Sequence, residues 1–239
     1  MTRASAATIV LFDVDGTLLL SGGAGVRAMN LAFEALYGVP DAFKDIPMAG
    51  RTDQIIVLDA FGRFGLPAAD GWLSAFRDRY CALLQEEVAR PSPGKRVMPG
   101  VRAALEVLGC LPDVALGLVT CNFAEGARIK LEHFDLARYF RFGAFADDAA
   151  DRNALVPIAL ARAAECGVRD VPPERVFVVG DTPADVACAL AAHVRAVGVA
   201  TGPFDTVTLA ASGAHAAMAD LSDLGAFFSV LGLSPIGWA

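Results

Sequence analysis

Apolar positions along the chain follow two alternating patterns. Short runs, Ile9 to Phe12, Val114 to Thr120, Phe142 to Phe145, Val176 to Asp181 and Arg195 to Ala200, have the length of strands, and the β-branched first of them reads as buried on both faces. Between them, apolar residues recur every three or four positions, the period of a helix with one buried face. Val26, Met29, Phe33 and Leu36 form the first such stripe, stopped by Gly38 and Pro40. Thr52 and Asp53 are placed to cap a second, carrying Ile55, Leu58 and Phe61 and ended by Gly65 and Pro67. Asp70 is placed to cap a third, with Leu73, Phe76, Tyr80, Leu83 and Glu87 in register and Pro91 closing it. Further helices are predicted from Pro99-Gly100 (Val101, Leu105, Leu108), from Asn122 to about His133, from Asn153 to Cys166, and from about Pro183.

Strands alternating with helices over short connections specify an α/β fold, a doubly wound parallel sheet. The first strand belongs to that sheet, yet residues 21–94 read as all-helical, ending in the linker Arg90-Pro91-Ser92-Pro93-Gly94-Lys95. The simplest organisation is a core of residues 1–20 and 95–239 with an all-helical cap, residues 21–94, inserted after the first strand. The apolar tail from Ser229 to Ala239, with Trp238, is expected to pack on the core.

Composition narrows the picture. With 239 residues, 55% of them apolar, and a mean hydropathy of +0.48, the chain has ample material for a buried sheet covered by helices. A net charge of −7 argues against nucleic acid as a main partner. The region from Val101 to Cys121 is broken by Arg102, Glu106, Pro112 and Asp113, so no membrane span is expected. The stretch before Asp13 is too short for a signal peptide. Five scattered cysteines without a CxxC pair read as reduced thiols, and the expected location is cytoplasmic.

The candidate chemistry sits at the carboxyl ends of three strands, where ligands bind in open α/β sheets. The first run ends in Asp13-Val14-Asp15-Gly16-Thr17, two carboxylates on one side of an extended segment followed by a glycine that frees the turn. The second ends in Thr120-Cys121-Asn122 and the fourth in Gly180-Asp181-Thr182-Pro183-Ala184-Asp185. Clustered carboxylates are costly to bury unless a cation offsets them, and oxygen ligands suit a hard one such as Mg²⁺. An EF-hand is excluded, since Leu18 stands where that loop needs Gly and Ala24 where it needs Glu.

Asp13-Val14-Asp15-Gly16-Thr17-Leu18, Thr120 at a strand end, and Gly180-Asp181-Thr182-Pro183-Ala184-Asp185 resemble motifs one, two and four of the haloacid dehalogenase superfamily. The resemblance covers nearly the whole chain. It is strongest to the capped, phosphoglycolate-phosphatase-like branch, with its Rossmann-like core. It implies that Asp13 is a nucleophile forming an aspartyl-phosphate, and that Asp15 is the general acid and base, with its carbonyl on Mg²⁺. It implies Asp13 and Asp181 as carboxylate ligands with Asp185 close by, and Thr120 and the amide of Asn122 as phosphate holders beside Gly16. The family usually supplies a Lys before motif four; here Arg152 is the only cation in that region and takes the role. The implied activity is Mg²⁺-dependent hydrolysis of a small phosphorylated metabolite, phosphoglycolate being a plausible one. A phosphomutase, a 2-haloacid dehalogenase and a non-catalytic binding protein are the alternatives. The sequence leaves the oligomeric state open.

Other signals are weaker. Gly23-Ala24-Gly25-Val26-Arg27-Ala28 matches a dinucleotide-binding pattern, but no adequate strand precedes it, and hinge glycines explain it better. His133, His193 and His215 lack metal-ligand spacing. Gly50-Arg51-Thr52-Asp53 opens a helix, where Arg51 could either touch substrate or form a salt bridge within the cap.

Overall fold

The structure is a computed structural model and describes residues 7–68 and 70–233. Its centre is β1 (Thr8–Phe12), buried along its whole length and hydrogen-bonded on both edges. The six-stranded sheet runs β5 (Phe142–Ala144), β4 (Val114–Val119), β1, β6 (Val176–Gly180), β7 (Arg195–Val199), β8 (Ala216–Met218), with every pairing parallel. The chain winds outward from β1 to β5, recrosses β1 to reach β6, and winds outward again. The winding direction reverses beside β1, which opens a crevice above its carboxyl end.

Alternate side chains of β1 feed two cores. Val10 and Phe12 pack with α4 (Val101–Cys110) and α9 (Leu224–Val230), through Leu105, Leu108, Phe227 and Phe228. Ile9 and Leu11 face α6 (Leu155–Glu165), α7 (Pro183–Ala191) and α8 (Thr206–Ala211) through Val156, Val186 and Leu209. The described part of the tail packs as expected, with Leu231 and Leu233 against the first of these cores; Trp238 lies outside the described residues.

Between β1 and β4 lie α1 (Ala24–Tyr37), α2 (Asp53–Arg63) and α3 (Trp72–Ala89). They close around Phe33, whose ring meets Tyr37, Phe43, Phe61 and Phe76 at centroid distances of 4.8 to 6.3 Å. At its foot the helical block is gathered by a feature absent from the sequence reading. The two-residue strands β2 (Leu19–Leu20) and β3 (Arg96–Val97) pair antiparallel and bring the block's entry and exit together.

Several local expectations need correction. In α2 the buried face is Ile56, Val57 and Phe61 rather than Ile55 and Leu58, because the helix docks on the sheet's rim as well as on α1 and α3. Asp70 does not cap α3, whose N-cap is Gly71. Asn122 does not cap α5 (Ala124–His133), because its side chain is drawn into the crevice. Asp147 instead accepts from the Ala124 amide at 2.6 Å. Asn153 yields to Asp151, whose side chain caps a short 3₁₀ turn, Arg152–Ala154, ahead of α6. The edge strand β8 and helices α8 and α9 were not foreseen; Asp205 and Asp223 cap those two helices.

The helical block is fastened to the sheet through the first turn of α2. The Asp53 amide donates to the Cys121 carbonyl at 2.8 Å, and the Asp53 carboxylate accepts from the Phe123 amide at 2.9 Å. The Thr52 hydroxyl donates to the Ala150 carbonyl at 3.0 Å. Phe123 and Ile129 complete the apolar core of the block, and Arg77 of α3 reaches Asp147 at 2.9 Å. Burial pushes the Asp53 carboxyl up to about 7, with the Lys130 charge and the Phe123 amide opposing the shift. Asp53 therefore keeps its proton in the fold at pH values where the unfolded chain, near its usual value of about 4, has lost it. Its contribution to stability falls as the pH rises from about 4 through about 7. Asp53→Asn should abolish that part of the pH dependence of the melting temperature and equal or exceed the parent at pH 8. Asp53→Ala, which orphans the Phe123 amide, should cost about 1–3 kcal/mol in chemical denaturation.

Candidate active site

The loop after β1 turns back on itself: the amides of Leu18 and Leu19 donate to the Val14 carbonyl, and Gly16 N donates to Leu19 O at 2.9 Å. Gly16 has φ +84°, and a Cβ there would lie 2.4 Å from Asp181 Oδ2. Only glycine permits both the turn and that approach. The Thr17 hydroxyl then donates to Asp181 Oδ1 at 3.0 Å, and Thr201 donates to the Gly16 carbonyl at 2.6 Å. Asp181 follows β6, where Gly202 also passes too close for any side chain.

Asp13, Asp181 and Asp185 each bring a carboxylate oxygen to within 4.8 Å of the others, and all three are buried. Burial and mutual repulsion push Asp13 up to about 7 and Asp181 up to about 8, although Arg152 pulls Asp13 down. Arg152, buried at the end of β5's connection to α6, sets Nη2 3.3 Å from Asp13 Oδ1 and also bonds Asp185 Oδ1. Its Nη1 donates to Cys121 Sγ at 2.7 Å, and its Nε is buried without a partner. Asp185's other oxygen accepts from the Thr182 amide and hydroxyl in a capping box that starts α7. Both Asp185 oxygens are thus engaged, whereas Asp13 and Asp181 keep free lone pairs. One guanidinium leaves the trio short of positive charge, and the donors are all oxygen. The residues fit Mg²⁺, with Asp13 and Asp181 as the carboxylates that would hold it and Asp185 fixing Arg152 behind them.

The Asp15 side chain stands outside the acidic trio. It pairs with Lys130 of α5 at 2.5 Å and accepts from Asn122 Nδ2 at 2.9 Å. Lys130 Nζ also donates to Asn122 Oδ1 at 2.6 Å, and Asn122 Nδ2 reaches the Thr120 hydroxyl oxygen at 2.8 Å. Asp15, Lys130, Asn122 and Thr120 form one chain of polar groups. Any hold of Asp15 on a cation falls to its main-chain carbonyl. Thr120 is fully buried at the end of β4, with its hydroxyl proton still free to donate.

Asp13, Asp15, Gly16, Asn122, Arg152 and Asp181 open on a cavity of about 480 Å³ between the sheet's rim and the helical block. Arg51 borders it, but its guanidinium is held by Asp59 at 2.6 Å and by the Pro47 carbonyl at 3.0 Å, inside the block. The glycines at 22 and 23 make left-handed turns, and the Gly22 carbonyl accepts from Arg27 and Ser92. His215 serves the sheet, its Nδ1 accepting from the Ala196 amide at 3.0 Å. Sequence reasoning missed Lys130, Thr17 and Asp53. For Lys130 a signal existed: a lysine flanked by Ile129 and Leu131, eight residues beyond Asn122 on the helix that starts at the crevice.

Residues 10–199 match the haloacid dehalogenase-like hydrolase family. The phosphoglycolate phosphatase of Rhodospirillum rubrum is 33% identical over 221 residues, covering 90% of this chain and 88% of that one. The phosphoglycolate phosphatase of Chromobacterium violaceum is 31% identical over 223 residues, covering 90% and 95%. The crystal structure of a hydrolase from Pseudomonas syringae superposes with a TM-score of 0.64 at 22% identity, covering 93% of this chain and 98% of that one. The chain therefore belongs to the haloacid dehalogenase-like hydrolases and is an enzyme of that family.

Proposed function

We propose that this enzyme is a Mg²⁺-dependent phosphatase of small phosphorylated metabolites, acting through a phosphoryl group carried on Asp13. The observation that carries the reading is the placement of Asp13: buried in a carboxylate trio short of positive charge, beside a fixed guanidinium, and bordering the cavity under the helical block. Mg²⁺ bound there would offset the repulsion between carboxylate and phosphate and orient the ester.

The chain's own residues supply the rest. An Asp13 oxygen attacks phosphorus as the ester P–O bond breaks, and the departing oxygen takes a proton from the Asp15 carboxyl. Asp15, now a carboxylate, takes a proton from water. That water attacks the phosphoryl group on Asp13 as the Asp13 O–P bond breaks, releasing phosphate and restoring Asp13 as a carboxylate and Asp15 as the acid. Lys130 and Asn122 hold Asp15 at the cavity wall. Arg152 lies where its fork can meet phosphoryl oxygens, and the Asn122 amide borders the same cavity, with Thr120 buried behind it and bonded to the Asn122 side chain. The helical block acts as the cap that shuts water out and selects the leaving group.

Asp15 and its supporting network favour phosphoryl transfer over dehalogenation, since a departing halide needs no proton. Phosphate release from an ester panel in Mg²⁺, lost with EDTA, checks the reading; conversion of a sugar phosphate to its isomer without free phosphate would mark a mutase. Asp13→Asn should abolish phosphate release and labelling of the chain by phosphoryl substrate. Asp15→Asn should lower kcat by about 10²–10⁴-fold, and Lys130→Met by a smaller factor with little change in KM. Arg152→Ala should lose more than about 10²-fold in kcat and also melt at lower temperature in EDTA, because Asp13 and Asp185 are then buried without compensation. Steady-state kinetics with melting curves separates these effects.

A further inference from the structure

We propose, resting on the phosphatase reading, that the alcohol this enzyme releases is uncharged and mainly apolar, larger than a two-carbon acid. Beyond the carboxylates, the cavity wall is built from Leu20, Val26, Met29, Met48, Ile56 and the ring of Tyr80. These come from the end of β2 and from the helical block, the side on which the part of the substrate beyond the phosphate must lie. The whole cavity, phosphate end included, is about 480 Å³, within the range of small-molecule sites.

The charges point the same way. Among the described residues, three cations border the cavity, and each is already engaged by side chains of the protein: Arg152 by Asp13 and Asp185, Lys130 by Asp15 and the Asn122 side-chain carbonyl, and Arg51 by Asp59. The nearby Arg27 is taken by Glu87 at 2.7 Å and the Gly22 carbonyl. Asp53 adds a further buried carboxyl to the wall. A substrate carboxylate would leave water for an apolar wall with no unpaired cation to receive it, which is costly, whereas an alkyl or aryl group gains from the same surface. The phosphate end is different, because there the trio, Arg152 and a divalent ion together receive the dianion.

The test compares n-hexyl phosphate with 2-phosphoglycolate on the Mg²⁺-loaded full chain; their leaving alcohols differ little in acidity. We expect kcat/KM at least about tenfold higher for n-hexyl phosphate, the scale that apolar pockets achieve in discrimination. Equal or better turnover of 2-phosphoglycolate would overturn the proposal. Calorimetric binding of n-hexylphosphonate against 3-phosphonopropionate, both inert to hydrolysis, gives the same order without chemistry. If no ester is cleaved, the phosphatase reading fails, yet the affinity order still decides this inference: tighter n-hexylphosphonate supports it and tighter 3-phosphonopropionate overturns it. Val26→Lys, at a half-exposed wall position that tolerates a long side chain, should narrow the preference by supplying a free cation. An unchanged ratio would overturn the claim that the missing cation sets it.

Discussion

One buried guanidinium holds the centre of this molecule together electrostatically. Arg152 lies between Asp13 at the end of β1 and Asp185 in the first turn of α7, with Cys121 behind it. Two strand ends and a helix start that would otherwise repel are thereby kept in contact. The compensation is deliberately partial in effect, whatever its origin: three buried carboxylates face one fixed cation, and Asp13 and Asp181 are held well above their usual range. Carboxylates buried together in this way are costly unless positive charge offsets them.

The second polar chain, Thr120, Asn122, Lys130 and Asp15, divides the labour between the two aspartates of the β1 loop. Asp13 belongs to the buried charge cluster. Asp15 stands apart from that cluster, held by Asn122 and by a lysine from α5. The stretch from Thr120 to Phe123 links both halves of the site, since Cys121 and Phe123 also receive the first turn of α2. Docking of the helical block and the alignment of Asn122 share the same few main-chain atoms.

The architecture was legible in the sequence because it depends on local periodicity. Four-to-six-residue β-branched runs between helical stripes specify a parallel sheet, and Asp13, Asp15, Asp181 and Asp185 announce themselves as carboxylates where apolar runs stop. Caps were less legible. Asn122, Asn153 and Asp70 have the composition of helix caps, but Asn122 finds stronger partners in Lys130 and Asp15, while Asp151 and Gly71 occupy the other two positions. The β2–β3 ribbon was invisible because two residues per strand carry no periodicity.

The chain's local chemistry thus determined the central strands, the longer helices and the strand-end carboxylates, since each follows from neighbours in sequence. Only the tertiary structure decided which charge meets which. Lys130 reaches Asp15 from 115 residues away and Arg152 reaches Asp185 from 33, and Arg51 spends its charge on Asp59 rather than on the cavity. Pairing of this kind depends on distance and desolvation in three dimensions, and no spacing along the chain encodes either.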